Sequence, residues 1–390
     1  MNTGAPVQQL PRAAPARVLA CGAFLKNRAV RLDGVQAHWS ALHGDLGDAA
    51  SCAALAEGID ALLAQAGPPV QAVAHDLHPD FHSTRLALAL AQRLGVPAIA
   101  VQHHHAHVGV VLAEQGLRRP VIGLALDGVG LGSDGSAWGG ELLWVDGGHP
   151  DRWRRLDHLA PLALPGGDIA AREPWRLAAA VLFAAGRGDQ IETRFAPQVG
   201  AGAASLLHQM LQRDLNCPRS SAAGRWFDAA AGALGLSLRQ TAEAEAAMAL
   251  EQAAAGWLST HPAFEFEWPA LDLQPLVADL FALRDRGGEA VARGAAMFHL
   301  GLASALTRRT IAAAQQADIG TVVLAGGCLA NRILRARLCD GLARAGLQVL
   351  EAGTAGCGDA GLALGQAWIA ASALWAGHVD AVMPETDLES

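Results

Sequence analysis

The sequence predicts an α/β chain of two lobes, built on mixed sheets flanked by helices. Three features predict this. Short β-rich runs alternate with Ala- and Leu-rich helical stretches, the order that gives largely parallel sheets. The first two β-rich runs, 17–24 and 27–34, are close enough in sequence to pair as a hairpin, so at least one sheet is mixed. A break at 117–120 (LRRP) splits the pattern without a Pro/Ser-rich linker, so the two parts should pack as one clefted unit.

The elements follow in order. RVLACGAF (17–24) reads as a strand and NRAVRLDG (27–34) as a second strand and turn. VQAVAHD (70–76) is a buried strand, followed by a helix over 84–95 and a strand over 96–102. HHAHVGVVLAEQG (104–116) is a helix closed by a glycine stop. VIGLALDG (121–128) is a further buried strand, and 136–148 a returning one. Helical stretches fill most of 171–310. TVVLAGG (321–327) is a strand breaking into a glycine turn, 329–346 its helix, and 347–353 the last strand. The apolar run 360–377 is long enough to raise a membrane span. It contains Gln366, Ser372, Gly361, Gly365 and Gly377 and has no charged anchor close by, so it is read as a buried helix and no membrane partner is expected. Lobe I is therefore assigned to 17–118, with the helix 360–376 packing back on it, and lobe II to 119–358. Residues 1–16 read as a flexible tail without an apolar leader, and 378–390 as a C-terminal tail.

Composition narrows the function. The 390 residues are 52% hydrophobic and 17% charged, ample for a large core. Lys and Arg total 29 against 37 acidic residues, a net charge of -8, which argues against a nucleic-acid partner. None of the six cysteines forms a CxxC pair, so neither a zinc ribbon nor a disulfide scaffold is signalled. Scattered free thiols fit a reducing compartment, and the expected location is cytoplasmic.

The sharpest chemical signal is Gln102-His103-His104-His105-Ala106-His107. His103 and His107 are four apart and share one helical face, a standard way to hold a divalent metal such as zinc or iron. The plain alternative is a solvated or capping histidine cluster. Asp359, in the glycine-rich turn GCGDAG, is a candidate third ligand, although an aspartate there also suits a helix cap. Asp127, ending the strand at 121–126, is a second candidate, with an ordinary turn aspartate as its alternative.

Residues 130–135 formally spell GxGxxG, but a dinucleotide site needs a helix directly afterwards. The following SAWGGELLWV reads as a strand. Strand, glycine-rich turn and returning strand are instead the phosphate hairpin of actin/hexokinase/Hsp70-type ATPases, whose backbone N–H groups cradle an anion. Gly326 and Gly327 follow a strand and open a helix through Asn331, a suitable nucleotide wall or a plain tight turn. Asp228 could hold a ribose hydroxyl or be a helix-surface charge. Arg172 and Arg176, around a Glu-Pro-Trp turn, could position a carbamoyl or phosphate group or brace a loop, and Lys26-Asn27 is equally open. No GxSxG elbow or cysteine nucleophile motif is present, so the chain is read as activating a nucleophile supplied by another molecule.

Seven blocks in order resemble the C-terminal region of the HypF carbamoyltransferases, which is related to TsaD and TobZ. They are LKN (25–27), VQHHHAH (101–107), LDGVGLGSDGSAWGGE (126–141), PGGDIAAREPWR (165–176), SSAAGRWFDA (220–229), AGGCLANRIL (325–334) and GDAGLALGQ (358–366). The resemblance implies a two-lobed ATPase-type fold with the site between the lobes. It implies that His103, His107, Asp127 and Asp359 bind the metal, with Asp127, His103 and His107 as the catalytic set. It places phosphate contacts at Gly128, Gly130 and Gly132, and ribose and adenine contacts near Asp228, Gly326, Gly327 and Asn331.

The implied reaction belongs to [NiFe]-hydrogenase maturation. A carbamoyl group, from carbamoyl phosphate and Mg-ATP by way of carbamoyl adenylate, passes to the C-terminal cysteine thiol of HypE on the route to cyanide ligands. Full-length family members carry an acylphosphatase domain, a cysteine-rich zinc region and a YrdC-like domain ahead of this region. This sequence shows no counterpart, so the adenylate is expected from another protein or by another route. The family's Glu-Gly-Gln-like turn reads here as Glu243-Ala244-Glu245. The alternatives are a TsaD-like tRNA threonylcarbamoyl transferase, a TobZ-like O-carbamoyltransferase, and a non-catalytic scaffold holding metal and nucleotide.

Overall fold

The structure, a computed structural model, describes residues 6–378 and 381–382. Lobe I holds a sheet of β1 (Val7–Gln9), β2 (Val18–Ala20), β3 (Val30–Asp33), β4 (Gln36–Trp39), β5 (Ala72–Asp76) and β6 (Ala98–Val101), with β14 (Ala381–Val382) at its far edge. The strand order is β1-β4-β3-β2-β5-β6-β14. β1, β4, β3 and β2 pair antiparallel in that order, whereas β2, β5, β6 and β14 pair parallel, so the sheet is mixed as the hairpin spacing predicts. Helices α1 (Ala49–Leu63) and α2 (His82–Leu94) cover one face, packing Leu55, Ile59, Leu62, Ala87 and Leu90 onto Leu19 and Val73.

The expectation of a flexible segment over 1–16 is corrected from residue 7 onward. β1 pairs with β4, Leu10 is buried, and Arg12 donates to the carbonyls of Leu117 and Gly147, each at 3.1 Å. That segment straps lobe I to the start of lobe II. Of the expected C-terminal tail, β14 pairs with β6, and residues 379–380 and 383–390, like 1–5, lie outside the described residues.

Lobe II is built on β7 (Val121–Leu131), β8 (Ala137–Val145), β9 (Trp153–His158), β10 (Leu162–Ala163), β11 (Arg219–Ser220), β12 (Thr321–Ala325) and β13 (Gln348–Glu351). Their order is β10-β11-β8-β7-β12-β13, with β9 also paired to β8. The outer face is covered by α4 (Ile169–Arg172), α5 (Pro174–Ala184), α6 (Gln190–Val199), α7 (Ala201–Gln212), α8 (Ala223–Leu234), α9 (Glu245–Thr260), α10 (Gln274–Arg286), α11 (Glu289–Ala317) and α12 (Arg332–Arg344).

Between the two sheets lie α3 (His103–Gln115) and α13 (Leu362–Ala376). This inner layer explains why the central strands read as unbroken apolar runs. Ile122, Leu124 and Leu126 face the outer core of lobe II, while Val121 and Ala125 face α3 and α13. α13 is the helix expected at 360–376, and it is buried between the sheets. Among the described residues, no helix is long and apolar enough to cross a membrane.

α3 and α13 meet through glycines. A Cβ on Gly365 would lie 1.8 Å from the Ala106 carbonyl oxygen, and one on Gly109 would lie 3.1 Å from the Gly365 Cα. This close approach fixes how far α3 and the turn before α13 stand apart. That separation sets the site described next.

Candidate active site

His103 and His107 sit on the first turns of α3, which begins where β6 ends. Gln102 caps the helix, its side-chain oxygen accepting from the His105 N–H at 2.8 Å. The four histidines of this run divide by partner. His105 stacks on Trp153, donates from Nε2 to the Pro150 carbonyl at 2.8 Å, and is held neutral by burial, its pKa pushed down to about 3. His104 accepts from Gln102 Nε2 at 2.9 Å, and burial also lowers its pKa well below the ordinary value. Those two belong to the core.

His103 and His107 face carboxylates instead. Asp127 lies in β7 where the ladder to β8 slips. Leu126 faces Gly140 and Gly130 faces Trp138, so residues 127–129 are set against Gly139 alone. The bulge turns Asp127 toward α3. Its Oδ2 lies 3.2 Å from His103 Nε2 and 3.0 Å from His107 Nε2. Asp359, in the short helical turn 359–361 ahead of α13, brings Oδ1 to 3.5 Å and 3.4 Å from the same two atoms. The four groups offer ligand atoms that all lie within 4.8 Å of one another. All four residues singled out as metal ligands therefore meet at one point.

The electrostatics suit a cation. Burial opposes charge on His103, but the Asp76 charge and hydrogen bonds with Asp127 and Asp359 outweigh it and hold its pKa well above the histidine norm. His107 is raised by the same two carboxylates against the same burial. Burial would raise Asp127 and Asp359, yet the two imidazoles hold both below the ordinary carboxylate range. Two imidazole nitrogens and two ionised carboxylates form a donor set that fits zinc or iron.

Sequence reasoning missed Asp76. It ends β5, is buried, and accepts from His103 Nδ1 at 2.7 Å, leaving Nε2 for the centre. The signal was present in the cluster His75-Asp76-Leu77-His78 at a strand end. Glu141 was also unassigned. It is fully buried in β8 and accepts from the Gly139 and Gly140 N–H groups at 3.0 and 3.2 Å, from Ser221, and from Arg155 Nε at 2.7 Å. It anchors the returning arm of the glycine hairpin.

The three hairpin glycines differ. A Cβ on Gly128 would meet open space, whereas one on Gly130 would strike His104 and His103, and one on Gly132 would fall 2.1 Å from the Trp138 indole nitrogen. Gly128 thus faces outward, while Gly130 and Gly132 are glycines because aromatic rings pack behind them. Across from Gly128 lies the turn of Gly326 and Gly327. Gly326 takes a left-handed φ of 97° with its α-carbon against Leu126, and a Cβ on Gly327 would lie 3.1 Å from Asp127 Oδ1. Asn331 is buried at the end of that turn. It caps α12 through the Leu334 N–H at 2.9 Å and donates to His299 Nε2 at 2.9 Å.

Asp228 is not a surface charge. It is buried on α8, paired with Arg225 Nη2 at 2.7 Å and accepting from Gln240 Nε2 at 3.2 Å. Arg176 pairs with Glu173 and braces its own turn. Asn27 donates to the Cys21 and Ala23 carbonyls at 2.8 and 2.6 Å and holds the loop after β2. Lys26 reaches across to lobe II and pairs with Glu243 at 2.8 Å.

Comparison with known proteins identifies the family and the fold. Residues 123–366 match the family described as "Carbamoyltransferase, Kae1-like Domain, second subdomain", and residues 13–114 match "HypF Kae1-like domain". A carbamoyltransferase HypF homolog of Cupriavidus necator is 57% identical over 383 residues, covering 96% of this chain and 95% of that protein. Carbamoyltransferase HypF of Rhizobium leguminosarum bv. viciae is 38% identical over 351 residues, covering 90% of this chain but 44% of that protein. A crystal structure of full-length HypF in the phosphate- and nucleotide-bound form superposes with a TM-score of 0.84 at 30% identity, covering 94% of this chain and 57% of that one. The chain thus spans nearly the whole of one relative and about half the length of the others. The chain belongs to the HypF carbamoyltransferase family and has the two-lobed ATPase-type fold of its Kae1-like region.

Proposed function

We propose that the chain carries out the transfer half of carbamoyl chemistry in [NiFe]-hydrogenase maturation. It takes carbamoyl adenylate, made from carbamoyl phosphate and Mg-ATP, and passes the carbamoyl group to the C-terminal cysteine thiol of a HypE-type partner. The observation that carries this reading is the meeting of His103, His107, Asp127 and Asp359 beside a glycine turn whose Gly128 faces open space.

In this reading those four residues hold a divalent ion, zinc or iron. Such an ion, when bound, acts as a Lewis acid toward a carbonyl oxygen. The protein's own groups do the rest. Asp76 fixes the ring of His103 through Nδ1, so that Nε2 points into the centre. The hairpin at Gly128 and the turn of Gly326 and Gly327 receive the nucleotide, with Gly130 and Gly132 fixing the hairpin's shape. Asp228 and Asn331 form the wall behind it. The partner's sulfur forms a C–S bond at the carbamoyl carbon, the C–O bond to phosphate breaks, AMP leaves, and the thiol proton passes to solvent. The free thiols fit a cytoplasmic setting.

The test is to incubate the chain with preformed carbamoyl adenylate and a HypE-type protein and to weigh the partner's C-terminal peptide. A carbamoyl adduct on its cysteine, absent with His103→Ala, is expected. An adduct formed equally well by His103→Ala would remove the centre from the reaction. No adduct with the unaltered chain would leave the scaffold reading standing.

A further inference from the structure

Gln102 is buried between β6 and α3, one residue ahead of His103. Glutamine is not an ordinary helix cap. Asn, Asp and Ser are preferred there, because their short side chains already reach the first free N–H groups. Here the longer side chain does the capping, its Oε1 accepting from the His105 N–H at 2.8 Å. With Oε1 as acceptor, Nε2 is the donor. It gives one hydrogen to His104 Nδ1 at 2.9 Å and the other to the Leu131 carbonyl at 3.1 Å.

Leu131 lies in the glycine hairpin, between Gly130 and Gly132. The bond therefore ties the start of the helix that carries His103 and His107 to the turn that carries Gly128. The two also touch directly, since a Cβ on Gly130 would fall 3.0 Å from both Cβ and Cγ of His103. Stability alone does not favour this arrangement. Using Nδ1 as an acceptor puts the His104 proton on Nε2, which is buried without a partner, and a buried donor left unbonded is destabilising. A shorter cap would serve the helix but would not reach the hairpin.

We infer that Gln102 is a positioning residue that fixes the hairpin to the helix of His103 and His107, so that ion and nucleotide bind with positive coupling. An ion that orders the first turn of α3 holds Gln102 and, through the Leu131 carbonyl, the hairpin. A phosphate that orders the hairpin holds the His103 ring by the same route. By linkage each ligand raises the affinity for the other by one common factor. The inference rests on the reading of the ion centre and of the nucleotide turn proposed above.

The test is the zinc affinity of the full chain, measured by competition with a chelator at constant pH, without AMP and with saturating AMP. In the unaltered chain AMP should tighten zinc binding by about 5-fold or more. Gln102→Asn keeps an oxygen for the cap but falls short of Leu131, and Gln102→Met fills the space with neither group. In both variants the AMP effect should fall below about 2-fold. Should one of them fail to fold, the other still reads the loss of the hairpin bond. A merely structural role would lower zinc affinity by the same factor with and without AMP. The AMP effect would then survive in the variants, and that result would overturn the inference. An unaltered chain that binds zinc and AMP independently would overturn it as well. An unaltered chain that binds neither would instead bring down the reading of the site, and the inference with it.

Discussion

In the proposed centre two demands meet in the His103 ring, a ligand atom on Nε2 and a fixed orientation through Nδ1. Asp76→Asn removes the charge behind the His103 ring while keeping an oxygen in place. It should weaken ion binding about 10- to 100-fold, measured by competition with a chelator at constant pH. Unchanged affinity would show that Asp76 plays no part in holding the ring. His299 gives a pH prediction. Its Nδ1 donates to the Ala295 carbonyl at 2.8 Å and its Nε2 accepts from Asn331, so only the neutral ring satisfies both, and burial holds its pKa down to about 4. The unfolded chain, with a histidine near 6.5, binds the proton that the folded chain refuses between those values. Stability from this group is therefore complete above pH 6.5 and is lost as pH falls toward 4. His299→Gln keeps an acceptor for Asn331 and should flatten the stability–pH slope in that window by about 1.4 kcal/mol per pH unit, read from urea midpoints. An unchanged slope would mean the histidine is free to protonate in the folded chain. At this scale the four residues that meet were legible, because His103 and His107 are one turn apart and the two aspartates end strand or turn motifs. The sequence did not reveal Asp76, whose contact with His103 joins residues distant in sequence.

Among the elements, the contact of α3 with α13 matters most, because it carries His103 and His107 on one side and Asp359 on the other. Gly365→Ala would drive a Cβ into the Ala106 carbonyl, a backbone atom that cannot swing aside. A loss of about 1–3 kcal/mol is expected from the urea midpoint. Gly256→Ala, exposed on α9 with nothing within 4 Å, should instead gain about 0.5–1 kcal/mol. If both substitutions behave alike, the glycine contact does not set the spacing of the two helices. Element types were legible where burial gives a strong pattern. The doubly covered strands β5, β7 and β12 read as apolar runs, and the returning strand β8 rejected the dinucleotide motif correctly. Sequence reasoning missed α1, although it carries a cap at Asp48 and Leu55, Ile59 and Leu62 on one face. β1, β10 and β11 gave none, since strands of two or three residues exist through their pairing partners rather than through local pattern.

For the whole molecule, the late apolar helix was correctly read as buried. What remained illegible is what joins the lobes. The Arg12 strap and the Lys26–Glu243 pair connect residues far apart in sequence, and no periodicity announces them. The same holds for the inner layer, where two helices from opposite ends of the chain are pressed between two sheets. That layer helps bring His103, His107, Asp127 and Asp359, from three distant segments, to one point beside an open glycine turn. Carbamoyl transfer from this point should require an ion held by those four residues. The most direct measurement is the rate of adduct formation on the partner thiol by a chelator-stripped full chain, with zinc or iron added back. Stripping should abolish transfer, one equivalent of ion should restore it, and the Asp359→Ala chain should not respond. A stripped chain that transfers at the original rate would contradict a metal-dependent centre at His103, His107, Asp127 and Asp359.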